Sequence, residues 1–231
     1  HEFPARVFVA RDAFGDFLVL KPAFLSARVA DGDHRTDVRK RNILALARRC
    51  HVSETHALHV AGLALRLFDQ TTSLHGFGQR EREWLEFAAI LHDIGYLINS
   101  RQHHKHAYYL IKNSDLSGFT AEEIDLVANV ARYHRRSVPT RKHSEFTALP
   151  QGNQRIINVL SALLRIADGL DRSQFSVVRS VEVKIGKTVV ITVDVSGDAE
   201  LEIWAARGRS DLFEKVFKRP VQFVTTTQED D

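Results

Sequence analysis

Histidine and aspartate side chains stand where hydrophobic residues are expected on several predicted helices. Nine of the twelve histidines lie between residues 51 and 134. His56, the pair His92-Asp93, His134 and Asp168 continue apolar stripes that repeat with the helical period of 3.6 residues. Histidine is the commonest metal ligand and a frequent proton-transfer group. The pattern therefore predicts a shared chemical site inside a helical core.

The energetic reason for this prediction is the cost of burying charge. A lone buried carboxylate costs several kcal/mol unless it is paired or binds a metal ion. Taken singly, His134 also fits a hydrogen-bonded core histidine, and Asp168 fits a capping or ion-pair residue near a helix end. One cation shared by His56, His92-Asp93 and Asp168 accounts for all of these positions together, so the conjunction favours a metal centre.

Four predicted helices carry these residues. Their apolar stripes are Ala57, Val60, Ala61, Ala64, Leu67 and Phe68 after a predicted N-cap at Ser53; Trp84, Phe87, Ala88 and Leu91; Ile124, Val127, Ala128 and Ala131 after the capping box Thr120–Glu123; and Ile156, Ile157, Leu160, Leu163, Leu164 and Ala167. Gly95 and Gly169 follow two of the stripes and are predicted to end those helices.

The rest of the chain favours a mainly α fold with a small α+β appendage. Residues 1–37 are interpreted as an extended segment with short strands at 5–10 and 16–20, which could extend the appendage, and residues 38–175 as the helical domain. Residues 176–231 are interpreted as the appendage. Within it we expect a hairpin from VEVKI and TVVITVDV around Gly186-Lys187, helices at 199–207 and 211–217, and a last extended piece at 221–225.

Composition excludes several classes of protein. The 231 residues are 44% hydrophobic and 26% charged, which is a globular balance, and a single cysteine, Cys50, excludes a disulfide framework. No run is long enough to span a membrane and no secretory leader opens the chain, so we expect a cytoplasmic protein. The net charge of +3 is too balanced to indicate nucleic-acid binding, and the basic residues are not concentrated on one recognisable helix, so nucleic acid is not expected as a partner.

Five segments carry a resemblance to a known family. They are HALHVAGLALRLFD (56–69), EFAAILHDIGYLIN (86–99), HHKHAYYLIKNSDLSGFT (103–120), ARYHRR (131–136) and LLRIADGLDRS (163–173). The ordered set of histidines and aspartates resembles the HD superfamily of metal-dependent phosphohydrolases. The segments are most similar to the C-terminal half of the exopolyphosphatase / guanosine pentaphosphate phosphohydrolase (Ppx/GppA) family. The tail around 201–217, including LFEKVF, is similar to the small α+β end of that half.

The resemblance implies an HD-type helical core and a set of metal ligands. By this resemblance His56, His92, Asp93 and Asp168 hold a first divalent metal ion, and His106 and His134 match positions that bind a second one in some HD phosphohydrolases. The family's exopolyphosphatase site lies in an N-terminal actin-like domain with Gly-rich phosphate loops. No such loop occurs in these 231 residues, so that chemistry is not carried over.

The ligand types and neighbouring cations suggest a mechanism. Imidazoles and carboxylates suit Mn, Fe, Co, Ni or Zn, and Mg where water completes the shell. Such an ion activates water and polarises a phosphoryl oxygen, and Asp93 is predicted to be the catalytic residue that bridges two ions or orients the water. The predicted phosphate-binding residues are Lys105, Arg135, Arg165 and Arg172.

Two functions remain open at this point. The first is a metal-dependent phosphohydrolase that cleaves a phosphate ester or anhydride in a nucleotide, an alarmone or polyphosphate. The second is a non-catalytic module that binds polyphosphate or a nucleotide through a basic channel. An exposed edge in the appendage would allow a homodimer.

Overall fold

The computed structural model describes the backbone of residues 9–11, 17–19 and 31–227, and the side chains of residues 38–226. Contacts divide the chain into two units, residues 1–34 and 35–231. In the first, β1 (Val9–Arg11) pairs antiparallel with β2 (Phe17–Val19). The two predicted strands are thus confirmed in part, and residues 5–8, 16 and 20 of those predictions lie outside the described residues.

The first helix begins earlier than the sequence pattern indicated. Helix α1 (Asp31–Arg49) includes residues 31–37, so the prediction of extended structure up to residue 37 is wrong for that stretch. Residues 31–37 are polar apart from Gly32 and contain no apolar period that could indicate a helix.

The helical core is a bundle formed by the helices that follow α1 in the chain. Its members are α2 (Glu54–Gln70), α3 (Thr72–His75), α4 (Gln79–Leu91), a 3-10 helix (Ile94–Leu97), α5 (His103–Lys112), α6 (Ala121–Arg132), α7 (Ser144–Thr147) and α8 (Gln151–Gly169). Helix α2 packs against α4 and α8, while α6 packs against α4, α5 and α8. The apolar stripes face one another in this core, as predicted; Ile124 and Ile156 are its partly buried members.

Two helix starts show how local sequence determines these bounds. Ser53 stands at the N-cap of α2, as expected, although its hydroxyl makes no capping hydrogen bond. The capping box of α6 is confirmed: the amide of Glu123 donates to Thr120 Oγ1 at 3.2 Å, and the amide of Thr120 donates to Glu123 Oε2 at 3.0 Å.

Helix α8 ends at Gly169, as predicted, but Gly95 does not end α4. Helix α4 already ends at Leu91, and neither glycine has the positive φ of a helix-ending glycine. A Cβ at Gly95 would lie 2.6 Å from the amide nitrogen of Ala107, and one at Gly169 would lie 2.7 Å from Cα of Ala206. Both glycines are therefore needed because another helix approaches the backbone closely.

The C-terminal appendage is an α+β unit, as predicted. Strand β3 (Val178–Ile185) pairs antiparallel with β4 (Val189–Val195), and β4 pairs in parallel with β5 (Val221–Thr227). Helices α9 (Glu200–Arg207) and α10 (Asp211–Phe217) make the crossover between the parallel strands and pack on α8. Among the described strands, β1 and β2 form a separate sheet and add nothing to this one.

None of the described helices has the length and apolarity that a membrane crossing requires.

Candidate metal centre

The predicted ligands come from the ends of three core helices. His56 lies in the first turn of α2, His92 and Asp93 follow the last residue of α4, and Asp168 lies in the last turn of α8. Because α2 packs against both α4 and α8, these helix ends meet at one side of the core. The tertiary contacts therefore bring together residues that are up to 112 positions apart in the chain.

A first group of ligand atoms forms between His56, His92 and one oxygen of Asp93. His56 Nε2 lies 3.7 Å from Asp93 Oδ2, and His92 Nε2 lies 3.5 Å from the same oxygen. Asp168 Oδ1 lies 3.9 Å from His56 Nε2 and 3.7 Å from His92 Nε2. The four side chains predicted for the first metal ion thus surround one small volume.

A second group forms on the other oxygen of Asp93. Asp93 Oδ1 lies 3.2 Å from Nε2 of His103 and 3.8 Å from Nε2 of His134, and these two nitrogens are 3.3 Å apart. Within each group the ligand atoms of His56, His92 and Asp93, or of Asp93, His103 and His134, lie within 4.8 Å of one another. Asp93 is therefore shared by two adjacent groups.

The second group differs from the one that the sequence suggested. His106 is half-buried and belongs to neither group, whereas His103, on the same helix, is buried beside Asp93. The signal was present in the sequence, because His103, Ala107 and Ile111 repeat every four residues and all three are buried on α5. His106 does not share that repeat.

The four histidines of the two groups, His56, His92, His103 and His134, share one ring orientation, with Nδ1 beside a neighbouring oxygen atom and Nε2 toward the ligand group. The Nδ1 atom of each ring lies within hydrogen-bonding distance of an oxygen atom: Asp171 Oδ2 at 2.7 Å for His56, and the carbonyl oxygens of Ala89 at 2.6 Å for His92, Ser100 at 3.0 Å for His103 and Ala131 at 2.7 Å for His134. These oxygens accept, so in the neutral form of each ring Nδ1 carries the proton and Nε2 has a lone pair directed into the shared volume. Such an arrangement is typical of histidines that ligate metals.

The site residues fit a divalent cation. His92 Nε2 is completely buried and has no hydrogen-bond partner among the described residues. A buried nitrogen without a partner carries an energetic penalty, and a cation placed among the Nε2 atoms and carboxylates would remove it. Imidazole and carboxylate together suit Mn, Fe, Co, Ni, Zn or Mg better than monovalent ions.

The electrostatics of the site keep its carboxylates ionised. Burial favours the neutral form of Asp93, but the charge of His92 and the hydrogen bond from His103 lower the pKa of Asp93 far below its usual range. Burial likewise favours the neutral form of Asp168, but the charge of Arg209 outweighs this effect and lowers the pKa of Asp168. Burial lowers the pKa of His134 well below its usual value, so this ring is neutral and available as a ligand.

Two residues of this site were not found from the sequence. Asp171 is completely buried and its carboxylate accepts the hydrogen bond from His56 Nδ1. Its position three residues after Asp168, just past the end of α8, was the one sequence feature that could have indicated this role. Arg209, from the segment between α9 and α10, pairs with Asp168 Oδ2 and leaves Oδ1 facing the histidines. No local pattern could have linked Arg209 to Asp168.

The predicted phosphate-binding residues have different surroundings. Nη1 of Arg135 lies 3.4 Å from His103 Nε2, beside the second group. Arg165 is buried, and its guanidinium donates to the carbonyl oxygens of Tyr133 and Arg136 at 3.4 Å. It also donates to the carboxylate of Asp211 at 3.0 Å, so its positive charge is paired within the protein. Lys105 and Arg172 are exposed. The phosphate-binding role of all four stays a prediction, and Arg135 is the one that reaches the ligand groups.

The chain is similar to a known family and to curated proteins. The family model described as Ppx/GppA phosphatase, domain III, matches residues 38–194, a range that includes both ligand groups. A guanosine-5'-triphosphate,3'-diphosphate pyrophosphatase from Pseudoalteromonas translucida (strain TAC 125) is 33% identical over 140 residues, which are 58% of this chain and 26% of that protein. The chain therefore spans about a quarter of the length of this curated relative.

Proposed function

Because the chain belongs to the Ppx/GppA phosphatase domain III family, we propose that it is a metal-dependent phosphohydrolase of the HD type. Its substrate class would be a phosphate ester or anhydride, and a nucleotide, an alarmone and polyphosphate are the candidates. The observation that carries this proposal is the position of Asp93, whose two oxygens face two separate groups of imidazole nitrogens. A polyanion-binding module has no need for such buried ligands.

In this mechanism His56, His92, Asp93 and Asp168 would hold one divalent ion, and Asp93, His103 and His134 would hold another. When bound, divalent ions at such a site polarise a phosphoryl oxygen and acidify water. Asp93 stays ionised at neutral pH, so its oxygens accept hydrogen bonds and orient the attacking water. Arg135, close to His103, supplies positive charge toward the phosphate oxygens.

The first experiment measures metal content and hydrolysis together. Protein purified without chelators should contain roughly one or two transition-metal ions per chain. With added Mn²⁺ it should hydrolyse at least one member of a panel of phosphomonoesters, nucleotides, cyclic dinucleotides and polyphosphate. His92→Ala and Asp93→Ala should remove bound metal and reduce turnover by roughly a thousandfold or more.

His103→Ala and His106→Ala form a matched pair for the second group. We expect His103→Ala to lower metal content and turnover, and His106→Ala to leave metal content close to that of the wild type, because only His103 lies beside Asp93. Metal-free protein under non-chelating conditions, or turnover that survives Asp93→Ala, would contradict the proposal. Polyphosphate binding without any turnover would favour the non-catalytic module instead.

A further inference from the structure

A cavity of about 350 Å³ opens beside the first ligand group. His56 and Asp93 form its inner wall, and its other described walls include His51 and Ser53 from the α1–α2 connection, Tyr96, and Gln174 from the segment after α8. Its volume is in the range of small-molecule sites. A phosphoryl group held at the ligands would therefore have the rest of its molecule next to this cavity.

The cavity has few means of neutralising negative charge. No lysine or arginine occurs among the described residues that line it, and its walls include the carboxylate of Asp93. A chain of further phosphate groups would consequently meet no lysine or arginine among these lining residues, and Arg135 approaches the cavity only through its contact with Tyr96. Amide, hydroxyl and imidazole groups of Gln174, Ser53 and His51 offer hydrogen bonds to an uncharged polar group instead. Tyr96 adds an aromatic ring that is about half exposed.

His51 occupies a backbone position that suits glycine. Its φ is 56°, and the amides of His51 and Val52 donate to the carbonyl oxygens of Arg48 and Ala47, which is a Schellman ending for α1. Glycine is the usual residue at that position because a Cβ is strained at positive φ. The turn itself gains nothing from an imidazole side chain.

Gln174, another residue of the cavity wall, shows the same feature, with a φ of 63°. Two non-glycine residues in the left-handed conformation thus line one cavity beside the ligand groups. Strained residues of this kind cluster at ligand-binding sites, where the side chain has a use that offsets the conformational cost.

We propose that this cavity binds the uncharged polar part of the substrate, a nucleoside in chemical class, through hydrogen bonds from His51 and Gln174. The inference rests on the proposed function, because the phosphoryl group is taken to lie at the shared ligands. It narrows the substrate class: a nucleotide is favoured over a bare polyphosphate chain.

Binding to the full chain loaded with Mn²⁺ tests this inference without relying on turnover. Calorimetric titration should give tighter binding for adenosine or guanosine 5′-monophosphate than for tripolyphosphate. The double variant His51→Gly/Gln174→Gly should weaken nucleotide binding by about tenfold, the effect of losing one or two hydrogen bonds. Its affinity for tripolyphosphate should change much less, and its thermal midpoint should be unchanged or higher because backbone strain is relieved.

Two controls separate the cavity from general effects. Lys218→Gly relieves the same kind of backbone strain, since Lys218 has a φ of 54° at the end of α10, but it lies outside the cavity and should not change nucleotide affinity. Ser53→Trp should fill the cavity and weaken nucleotide binding, whereas Ser117→Trp, in the loop that follows α5, should not.

The binding measurements test the cavity, and the turnover measurements test the proposed function. Nucleotides that bind no more tightly than tripolyphosphate, or a double variant that weakens both equally, would overturn the inference about the cavity. Loss of the proposed function is seen separately, as absence of turnover that depends on Asp93. Nucleotide binding that is sensitive to His51 and Gln174 supports the cavity in either case.

Discussion

At the scale of single residues, the candidate site depends on groups that orient the ligands. Asp171 fixes the His56 ring, and Arg209 occupies Oδ2 of Asp168, so that Oδ1 faces His56 and His92. Partners of this kind restrict the orientation of a ligand before the metal ion binds. Arg209 is therefore a positioning residue: it acts on the centre through Asp168 rather than by touching a substrate.

We predict that Arg209→Ala lowers metal affinity by about 10–100-fold, the usual effect of removing the partner of a metal ligand. Competition with a fluorescent chelator gives the affinity directly, independent of activity. Arg209→Lys should restore part of the affinity because it keeps the charge without the guanidinium geometry.

Arg207→Ala is the matched control for that measurement. Arg207 is an exposed arginine two residues away that contacts the carbonyl oxygen of Phe223, and its removal should leave metal affinity unchanged. Equal or tighter binding in Arg209→Ala would show that the arginine competes with the cation instead of orienting Asp168.

At the scale of helices and strands, close backbone contacts fix the ligand-bearing segments. Gly95 allows the first turns of α5 to approach the 3-10 helix, and His103 is the first residue of α5. Gly169 allows α9 to approach the end of α8, next to Asp168. The positions of both groups therefore depend on two sites where a side chain does not fit.

We predict that Gly95→Ala and Gly169→Ala each destabilise the protein by about 1–3 kcal/mol or more, because the new methyl group would collide with backbone atoms that cannot easily move. Urea unfolding measures the change in the free energy of unfolding. Gly62→Ala on α2 is the control: a Cβ there meets nothing within 4 Å, so alanine should stabilise the helix by about 0.5–1 kcal/mol. Similar values for all three variants would contradict the role of close approach.

At the scale of the whole molecule, buried histidines make stability depend on pH. Among the described histidines with shifted pKa values, His75, His104, His134 and His143 have lowered values, and His56 has a raised one. Burial is the largest cause of lowering, and it lowers the pKa of His104 to about 4. Burial alone would lower the pKa of His56 as well. The hydrogen bond to Asp171 and the charges of Asp168 and Asp93 outweigh burial and raise this pKa.

We predict that the metal-free protein loses stability as the pH falls from about 6.5 toward 4. In this window the unfolded chain takes up protons on histidines that stay neutral in the folded state, so the free energy of unfolding decreases. His56 acts in the opposite sense, because its pKa is raised in the folded state. Its stabilising contribution is fully present below about pH 6.5 and is lost only as the pH rises above that value. Below about pH 4, protonation of Asp93 and Asp168 in the unfolded chain removes further stability.

Urea titrations at several pH values between 7 and 4, with a chelator present, measure this dependence. We expect a total loss of roughly 1–3 kcal/mol by the acid end of the range. His104→Asn should flatten the curve, because His104 lies at the start of α5 as a buried ring that stays neutral. A stability that is constant or rises on acidification would contradict the prediction.

Local sequence patterns determined the elements of this protein. Apolar stripes predicted α2, α4, α6 and α8, the capping box of Thr120 and Glu123 predicted the start of α6, and alternating residues predicted the hairpin of β3 and β4. Polar residues within those stripes also indicated which side chains would be buried. This information is local, because hydrogen-bonding geometry and the period of burial are set by residues a few positions apart.

The tertiary structure alone decided which of these buried groups meet. It brought His103 rather than His106 to Asp93, paired Arg209 with Asp168 across 41 positions, and gave Gly95 and Gly169 their roles in close packing. A helical period states that a residue faces inward, but it does not state which neighbour it faces. That depends on how the helices cross, and the crossing is set by the packing of the whole core.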